Sequence, residues 1–156
     1  GSGPLAQTFT ITQAGIICTY AITPTNRVHG SGAETNTVSV TTSNLCTWTV
    51  SNTNTWISIL SPTNSSGNSN VTYSVAANPT ALSRSGAFTV AGRTFTVTQA
   101  GAPCTFTLSP STRAHGFGAA TNSVNVNTLL GCTWTVVNTN PWITLTAGAT
   151  GSNSGS

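Results

Sequence analysis

Only a few side chains in this sequence could act as acids, bases or metal ligands. Among its 156 residues there is one carboxylate, Glu34, and there are two histidines, His29 and His115. Glycoside hydrolysis by acid–base catalysis requires a pair of carboxyl groups, and calcium sites require several. The sequence therefore excludes carboxylate-pair hydrolysis within this chain, and we expect no enzyme activity, no cofactor and no metal site.

Both histidines lie in an Arg-x-His-Gly element that occurs twice, at 27–30 and 113–116. Such an element is typical of a loop in which the histidine caps backbone groups and the glycine adopts a positive φ. The alternative is a polar binding or module-contact site containing His29 and His115. Nucleophilic catalysis through histidine is disfavoured because the chain has no Gly-x-Ser-x-Gly turn and because its cysteines are better interpreted as disulfides.

Four tryptophans lie in two related stretches, CTWTVSNTNTWI at 46–57 and CTWTVVNTNPWI at 132–143. Trp48 and Trp134 follow a cysteine by two residues on the same side of an alternating strand, which predicts that both belong to the core. Trp56 and Trp142 are out of phase with the apolar residues that follow them, so they either close the end of the core or point outward. An outward Trp among Asn and Thr side chains would suit stacking on a sugar ring.

The composition also limits the partners of the chain. Charged residues make up 3% of it, against about 25% in a typical soluble domain. The formal net charge of +3 at pH 7 arises from four scattered arginines, which form no basic stripe for nucleic acid. No apolar run approaches the roughly 20 residues of a membrane-spanning helix. We therefore expect neither a nucleic-acid partner nor membrane insertion.

The chain repeats itself with a period of 86 residues: at that shift, 31 of the 70 overlapping positions are identical without a gap. QTFTITQAG at 7–15 then aligns with RTFTVTQAG at 93–101. We accordingly divide the chain into the last strand of a preceding module (1–16), a complete module (17–102) and the first part of a following module (103–156). This frame predicts a segment of a longer array, whose incomplete C-terminal part is completed by further sequence, by the N-terminal strand or by a neighbouring chain.

Apolar residues alternate with Thr and Ser nearly everywhere in the repeat, for example at Val71, Tyr73 and Val75. This period of two predicts half-buried antiparallel strands, and AFTVAGRTFTV at 87–97 predicts a hairpin with a two-residue turn. About seven such strands fit into one period. The predicted fold class is all-β, with tandem immunoglobulin-like antiparallel β-sandwich modules.

The four cysteines allow three disulfide connectivities. Pairing Cys18 with Cys46 and Cys104 with Cys132 gives each module its own bridge and is favoured by the repeat. The rival connectivity joins Cys46 to Cys104 and continues the pattern out of both ends of the chain. Either arrangement implies an oxidising compartment, so we expect a secreted, extracellular or cell-surface protein.

The order of these features resembles the BACON family of bacterial all-β modules. The resemblance rests on the paired cysteines, CTWTV, VTYSVAAN and the terminal TFTVTQAG, and it covers the complete module and both partial ones. It implies an immunoglobulin-like sandwich from a large secreted or surface protein, with glycan binding or a spacer role. It supplies no binding residues that could be transferred to this chain.

These observations together predict a non-catalytic structural or adhesive segment of an extracellular fibre or stalk, completed by strand exchange with a neighbour. The expected partners are neighbouring copies of the same module or chain. The alternative is a carbohydrate-binding module. In either case the candidate contacts with a glycan or a neighbouring module are Trp56, Trp142, His29 and His115.

Overall fold

A computed structural model describes Gly3 and residues 7–156, so the predicted segment 1–16 lies partly outside the described residues. The described part of the chain contains strands and no helix. The strands are β1 (Ala21–Thr23), β2 (Asn26–His29), β3 (Glu34–Thr41), β4 (Thr47–Ser51), β5 (Ile57–Ile59), β6 (Asn64–Ser66), β7 (Ser69–Val75), β8 (Arg84–Val90), β9 (Arg93–Gln99), β10 (Thr107–Ser109), β11 (Asn125–Asn127), β12 (Thr133–Thr135) and β13 (Thr150–Ser152).

Residues that alternate between apolar and polar in the sequence also alternate between more buried and less buried positions in the strands. In β7, Val71, Tyr73 and Val75 are buried, whereas Thr72 and Ser74 between them are only half-buried. Successive side chains of a strand point to opposite faces, so the apolar residues share one face. The predicted half-buried strands are therefore confirmed.

Two sheets pack face to face between residues 21 and 99. One has the strand order β1-β3-β7-β5 and the other the order β2-β9-β8-β4-β6. β2 runs parallel to β9, and the remaining pairs in these two sheets are antiparallel. The predicted all-β class with antiparallel sheets is confirmed.

One hydrophobic core fills the space between the two sheets. Tyr73 of the first sheet contacts Phe88 and Phe95 of the second, with ring centroids 5.2 and 5.4 Å apart. The buried members of this core are Ile22, Val38, Val40, Trp48, Val50, Ile57, Val71, Tyr73, Val75, Phe88, Val90, Phe95 and Val97. All of them lie within the segment predicted to be the complete module.

The hairpin predicted at 87–97 is formed by β8 and β9. Its two turn residues, Ala91 and Gly92, have φ angles of 51° and 71°. Positive φ at both central residues defines the type I′ turn, whose twist matches that of the flanking strands. Phe88 lies directly opposite Phe95 across the pair, so the turn sets the register that brings the two rings into the core.

The favoured disulfide connectivity is confirmed, and the rival pairing of Cys46 with Cys104 is wrong. Bridges join Cys18 to Cys46 and Cys104 to Cys132, each across 28 positions of sequence. Cys46 and Cys132 are fully buried. Each bridge therefore ties a segment outside the strands to the residue just before a strand, β4 or β12.

Residues 103–156 contain only two small sheets, β10-β11 and β12-β13. Their contacts nevertheless match those found 86 positions earlier. The indole N–H of Trp48 donates to the carbonyl of Gly67 at 2.9 Å, and that of Trp134 donates to the carbonyl of Asn153 at 2.8 Å. Thus the same local arrangement forms in both copies, even though the second has fewer strands around it.

Residues 7–20 pair with no strand in the described part of the chain. Phe9 and Ile11 are 87% and 80% exposed, whereas their counterparts in β9, Phe95 and Val97, are fully buried. β9 has β2 on one side and β8 on the other, and these neighbours supply its ladder of hydrogen bonds. The segment 7–15 therefore has nearly the sequence of β9 but lacks the neighbouring strands that pair with β9.

The disulfide Cys18–Cys46 should make a measurable contribution to the stability of the module. Replacing both cysteines by alanine frees a loop of this length in the unfolded state, which should lower the free energy of unfolding by roughly 3.5 kcal/mol. Urea unfolding followed by hydrogen exchange at the β7 amides measures the loss. The matched double variant of Cys104 and Cys132 should leave β7 protection unchanged; equal protection in both double variants would contradict the assignment.

Candidate functional site

His29 is buried at the end of β2 and hydrogen bonds to two other side chains. Its Nδ1 lies 2.8 Å from Oε2 of Glu34, and its Nε2 lies 3.0 Å from the hydroxyl of Tyr73. The other carboxylate oxygen of Glu34 accepts the backbone N–H of Gly30 at 3.1 Å. Because β2 and β7 belong to different sheets, this network ties the two sheets together at one end of the core.

The chemistry of the three groups fixes the direction of the hydrogen bonds. A carboxylate can only accept, so Nδ1 of His29 carries the proton shared with Glu34. The hydrogen bond from His29, followed by that from Gly30, holds the pKa of Glu34 below its usual value of 4.5. Burial raises the pKa of Tyr73, so its hydroxyl stays protonated at neutral pH.

A carboxylate, a histidine and a hydroxyl in series can activate a nucleophile when the hydroxyl faces a substrate. Here the Tyr73 side chain is fully buried between the sheets. Its hydroxyl is therefore not available to a substrate. The arrangement can instead satisfy the hydrogen-bonding groups of the buried His29 imidazole and fix the loop between β2 and β3.

The second Arg-x-His-Gly element has different surroundings. His115 is exposed, and the residue that corresponds to Glu34 is Ala120. Arg113 donates from Nη1 to Oδ1 of Asn122 at 2.7 Å. The structure does not bring His29 and His115 together. The sequence shows that His115 lacks the Glu34 partner, but it could not reveal the contact of His29 with Tyr73, which spans 44 positions.

The prediction that Trp48 and Trp134 both belong to the core is confirmed for Trp48 only. Trp48 is buried in the main core. Trp134 is half-buried, and a Cβ on Gly151 would overlap its ring. The small residue opposite Trp134 leaves room for the indole to lie flat across the β12-β13 pair.

The ring of Trp56 is half-buried against the core and is covered by Arg84. The guanidinium carbon of Arg84 lies 4.3 Å from the ring centroid, which is a cation–π contact. Arg84 is itself held by Oε1 of Gln99 at 2.8 Å and by the carbonyl of Ala76 at 2.7 Å. A Cβ on Gly86 would approach the same ring to 2.9 Å, so Trp56 does not present a free face for stacking.

Trp142 has a different environment from Trp56. Its side chain is 77% exposed, and in the described residues no arginine lies over its ring. It follows an Asn-rich turn in which Asn138 donates to the carbonyl of Ile143 at 2.7 Å. Of the four candidate contact residues, Trp142 and His115 are exposed, whereas Trp56 is half-buried and His29 is buried.

The described residues offer no deep cavity at these positions. A shallow depression beside Glu34 is lined by polar and small side chains, including Thr35, Ser58 and Ser74. No group of three or more His, Cys, Asp or Glu side chains comes together within Gly3 and 7–156. A search of the same residues found no helix long and apolar enough to cross a membrane.

These observations define a disulfide-stabilised all-β module, and a comparison with known families agrees. Residues 47–100 match the family model BACON, which is described as "Putative binding domain, N-terminal". The resemblance predicted from the sequence is thereby confirmed for this part of the chain, which runs from β4 to the end of β9.

Comparisons with individual proteins add little. No curated protein matches the chain. Among solved structures, the chain is similar to a Bacteroides ovatus GH5 xyloglucanase in complex with a XXXG heptasaccharide, with 20% sequence identity and a TM-score of 0.47. The similarity covers 53% of this chain and only 19% of that one.

The hydrogen-bond network of Glu34 should make stability depend on pH. Because the pKa of Glu34 is lower in the folded state, its ionised form stabilises the fold above pH 4.5, and this contribution is lost as the pH falls through the lower folded-state pKa. Thermal unfolding should therefore show a lower melting temperature for Glu34→Gln than for the wild type at pH 7. The difference should shrink towards pH 3, and a constant difference would contradict this assignment.

Proposed function

We propose that this chain is a non-catalytic structural or adhesive segment of an extracellular array of disulfide-stabilised β-modules, completed by strand exchange between neighbouring copies. The proposal rests on two described parts of the chain that lack strand partners present in the complete module, residues 7–15 and residues 103–156. Residues 7–15 have the sequence of β9 without its neighbours. In the described residues of 103–156, no strand pairs with a strand of the β9 type.

The side chains of 7–15 are suited to a buried position. In β9, Phe95 and Val97 are fully buried, and so is Gln99. The amide nitrogen of Gln99 donates to the carbonyls of Gly32 and Ala76, both at 3.0 Å. The corresponding residues of the unpaired segment are Phe9, Ile11 and Gln13. Burying the two apolar side chains would contribute roughly 1.5–3 kcal/mol each.

The C-terminal part contains an unpaired counterpart of β2. β2 pairs in parallel with β9 through residues 26–29, and its counterpart at 112–115 is exposed and forms no strand. Apolar side chains of the same part remain exposed, among them Phe106, Leu108, Val124 and Ile143. A β9-type strand from a neighbouring copy would pair with residues 112–115 and cover part of this surface.

The composition supports association and an extracellular location. With 3% charged residues, the chain lacks the electrostatic repulsion that keeps many soluble proteins apart. Two disulfides are typical of an oxidising compartment. Catalysis is not part of the proposal because the one carboxylate of the chain, Glu34, is engaged by His29 and Gly30.

Self-association of residues 1–156 tests this function. Sedimentation velocity and negative-stain electron microscopy should show larger or filamentous species as the protein concentration rises. Replacing Phe9 and Ile11 together by Asn should abolish them, because the strand loses its two apolar contacts. The melting temperature should not change, since both side chains are exposed in the isolated chain.

Leu60→Asn serves as the matched control, because Leu60 is an exposed apolar residue of the complete module. This variant should associate as the wild type does. A wild-type chain that stays monomeric at all concentrations, or a Phe9/Ile11 variant that still assembles, would contradict strand exchange through residues 7–15.

Carbohydrate binding is the second candidate function. It is favoured by the description of the matched family as a binding domain and by the exposed ring of Trp142. Trp142→Ala should then remove the retardation of the protein in gels containing a neutral polysaccharide. Trp56→Ala should retain it, because Arg84 already covers that ring. Unretarded migration of the wild type in a panel of such gels would reject this candidate.

A further inference from the structure

The loop between β7 and β8 makes backbone contacts with the last residue of the complete module and with a turn of the following module. The N–H of Ala81 donates to the carbonyl of Leu130 at 2.8 Å, and the carbonyl of Thr80 accepts the N–H of Ala102 at 2.7 Å. Ala102 precedes Cys104 in the linker, and Leu130 lies in the turn just before Cys132. The loop is thus held between a linker and a turn.

The loop is rigid on the side of its own module. The side chain of Asn78 is buried, and its amide nitrogen donates to the carbonyls of Leu82 and Ala100 at 2.7 and 3.0 Å. Its amide oxygen accepts from the backbone N–H and the hydroxyl of Thr80 at 3.2 and 3.0 Å. Asn78 therefore fixes the conformation of the loop and attaches it to the end of β9.

Two glycines on the other side leave space for the loop. A Cβ on Gly101 would overlap the carbonyl oxygen of Ala81, and a Cβ on Gly131 would lie 2.7 Å from Cγ of Leu82. Gly131 also has a φ of 94°, which disfavours any other residue. Both contacts are so close that a side chain at position 101 or 131 would clash with the loop.

The counterparts of these glycines in the first copy have no such neighbour. Gly15, which corresponds to Gly101, has nothing within 4 Å of a Cβ position. The counterpart of Gly131 is Leu45, which is 75% exposed. The TQAG sequence alone therefore does not produce the close packing, which requires the Asn78–Leu82 loop to lie against the glycine.

The second disulfide joins the linker and the turn that hold the loop. Cys104–Cys132 places the two segments in one covalent unit, and the N–H of Cys132 donates to the carbonyl of Leu129 within the turn. Movement of either segment away from the loop is therefore resisted by the other.

From these contacts we propose that the Asn78–Leu82 loop is a docking surface for the following module and locks its orientation relative to the complete module. Its partner is the turn of that module at 129–132, together with the linker 101–104 in which the complete module ends and the following one begins. Position 131 determines which module fits, because glycine there admits Leu82, whereas a leucine, as at position 45, would occupy the same space. The contact lies within one chain, so the proposal is independent of self-association.

Residual dipolar couplings measured on residues 1–156 test the lock. In the wild type, the amides of β3, β7, β8 and β9 should share one alignment tensor with those of β11, β12 and β13. Gly101→Ala adds a methyl group against the carbonyl of Ala81, so the loop and linker must separate and the common tensor should be lost. Gly15→Ala is the matched control in the same TQAG sequence, and it should preserve the common tensor.

Leu82→Ala provides a second variant that cannot unfold the module, because Leu82 is largely exposed and lies outside the core. It removes the side chain seated on Gly131 and should also weaken the common alignment. Unchanged chemical shifts in β7 show that the module stays folded in each variant. Separate tensors in the wild type, or a common tensor retained in both Gly101→Ala and Leu82→Ala, would overturn the proposal.

Discussion

A β-strand in water needs a paired neighbour along a hydrogen-bonding edge and cover for its apolar face, and in this chain that requirement centres on β9. β9 lies between β2 and β8, buries Phe95 and Val97 in the core, and uses Gln99 to hold the loop after β2. Residues 7–15 have nearly the same sequence without those neighbours and expose the same types of side chain.

The sequence predicted the parts of the fold that depend on local pattern. The alternation around Tyr73 gave the buried face of β7, and the pair Ala91-Gly92 gave the turn between β8 and β9, because each requires only a few consecutive residues. The disulfide pairing followed from the repeat. By contrast, the period of two could not show that residues 7–15 lack a partner, because strand pairing is a property of the neighbours.

The candidate site was less predictable because its contacts join distant positions. Nothing near Trp56 in the sequence indicates that Arg84 covers its ring, and nothing near His29 indicates Tyr73. From the sequence, Gly101 and Gly131 look like ordinary turn residues. The structure shows that the Asn78–Leu82 loop packs closely against both. Long-range packing thus decides whether a repeated residue remains available as a contact surface, as the contact of Arg84 with the ring of Trp56 shows.

The central claim is that residues 7–15 become a β9-type strand when they meet a neighbouring copy. Hydrogen exchange of their backbone amides, compared between dilute chain and assembled material, measures this directly. We expect fast exchange in the dilute chain and protection approaching that of residues 93–99 in the assembled form. Equally fast exchange of residues 7–15 in both states would contradict it.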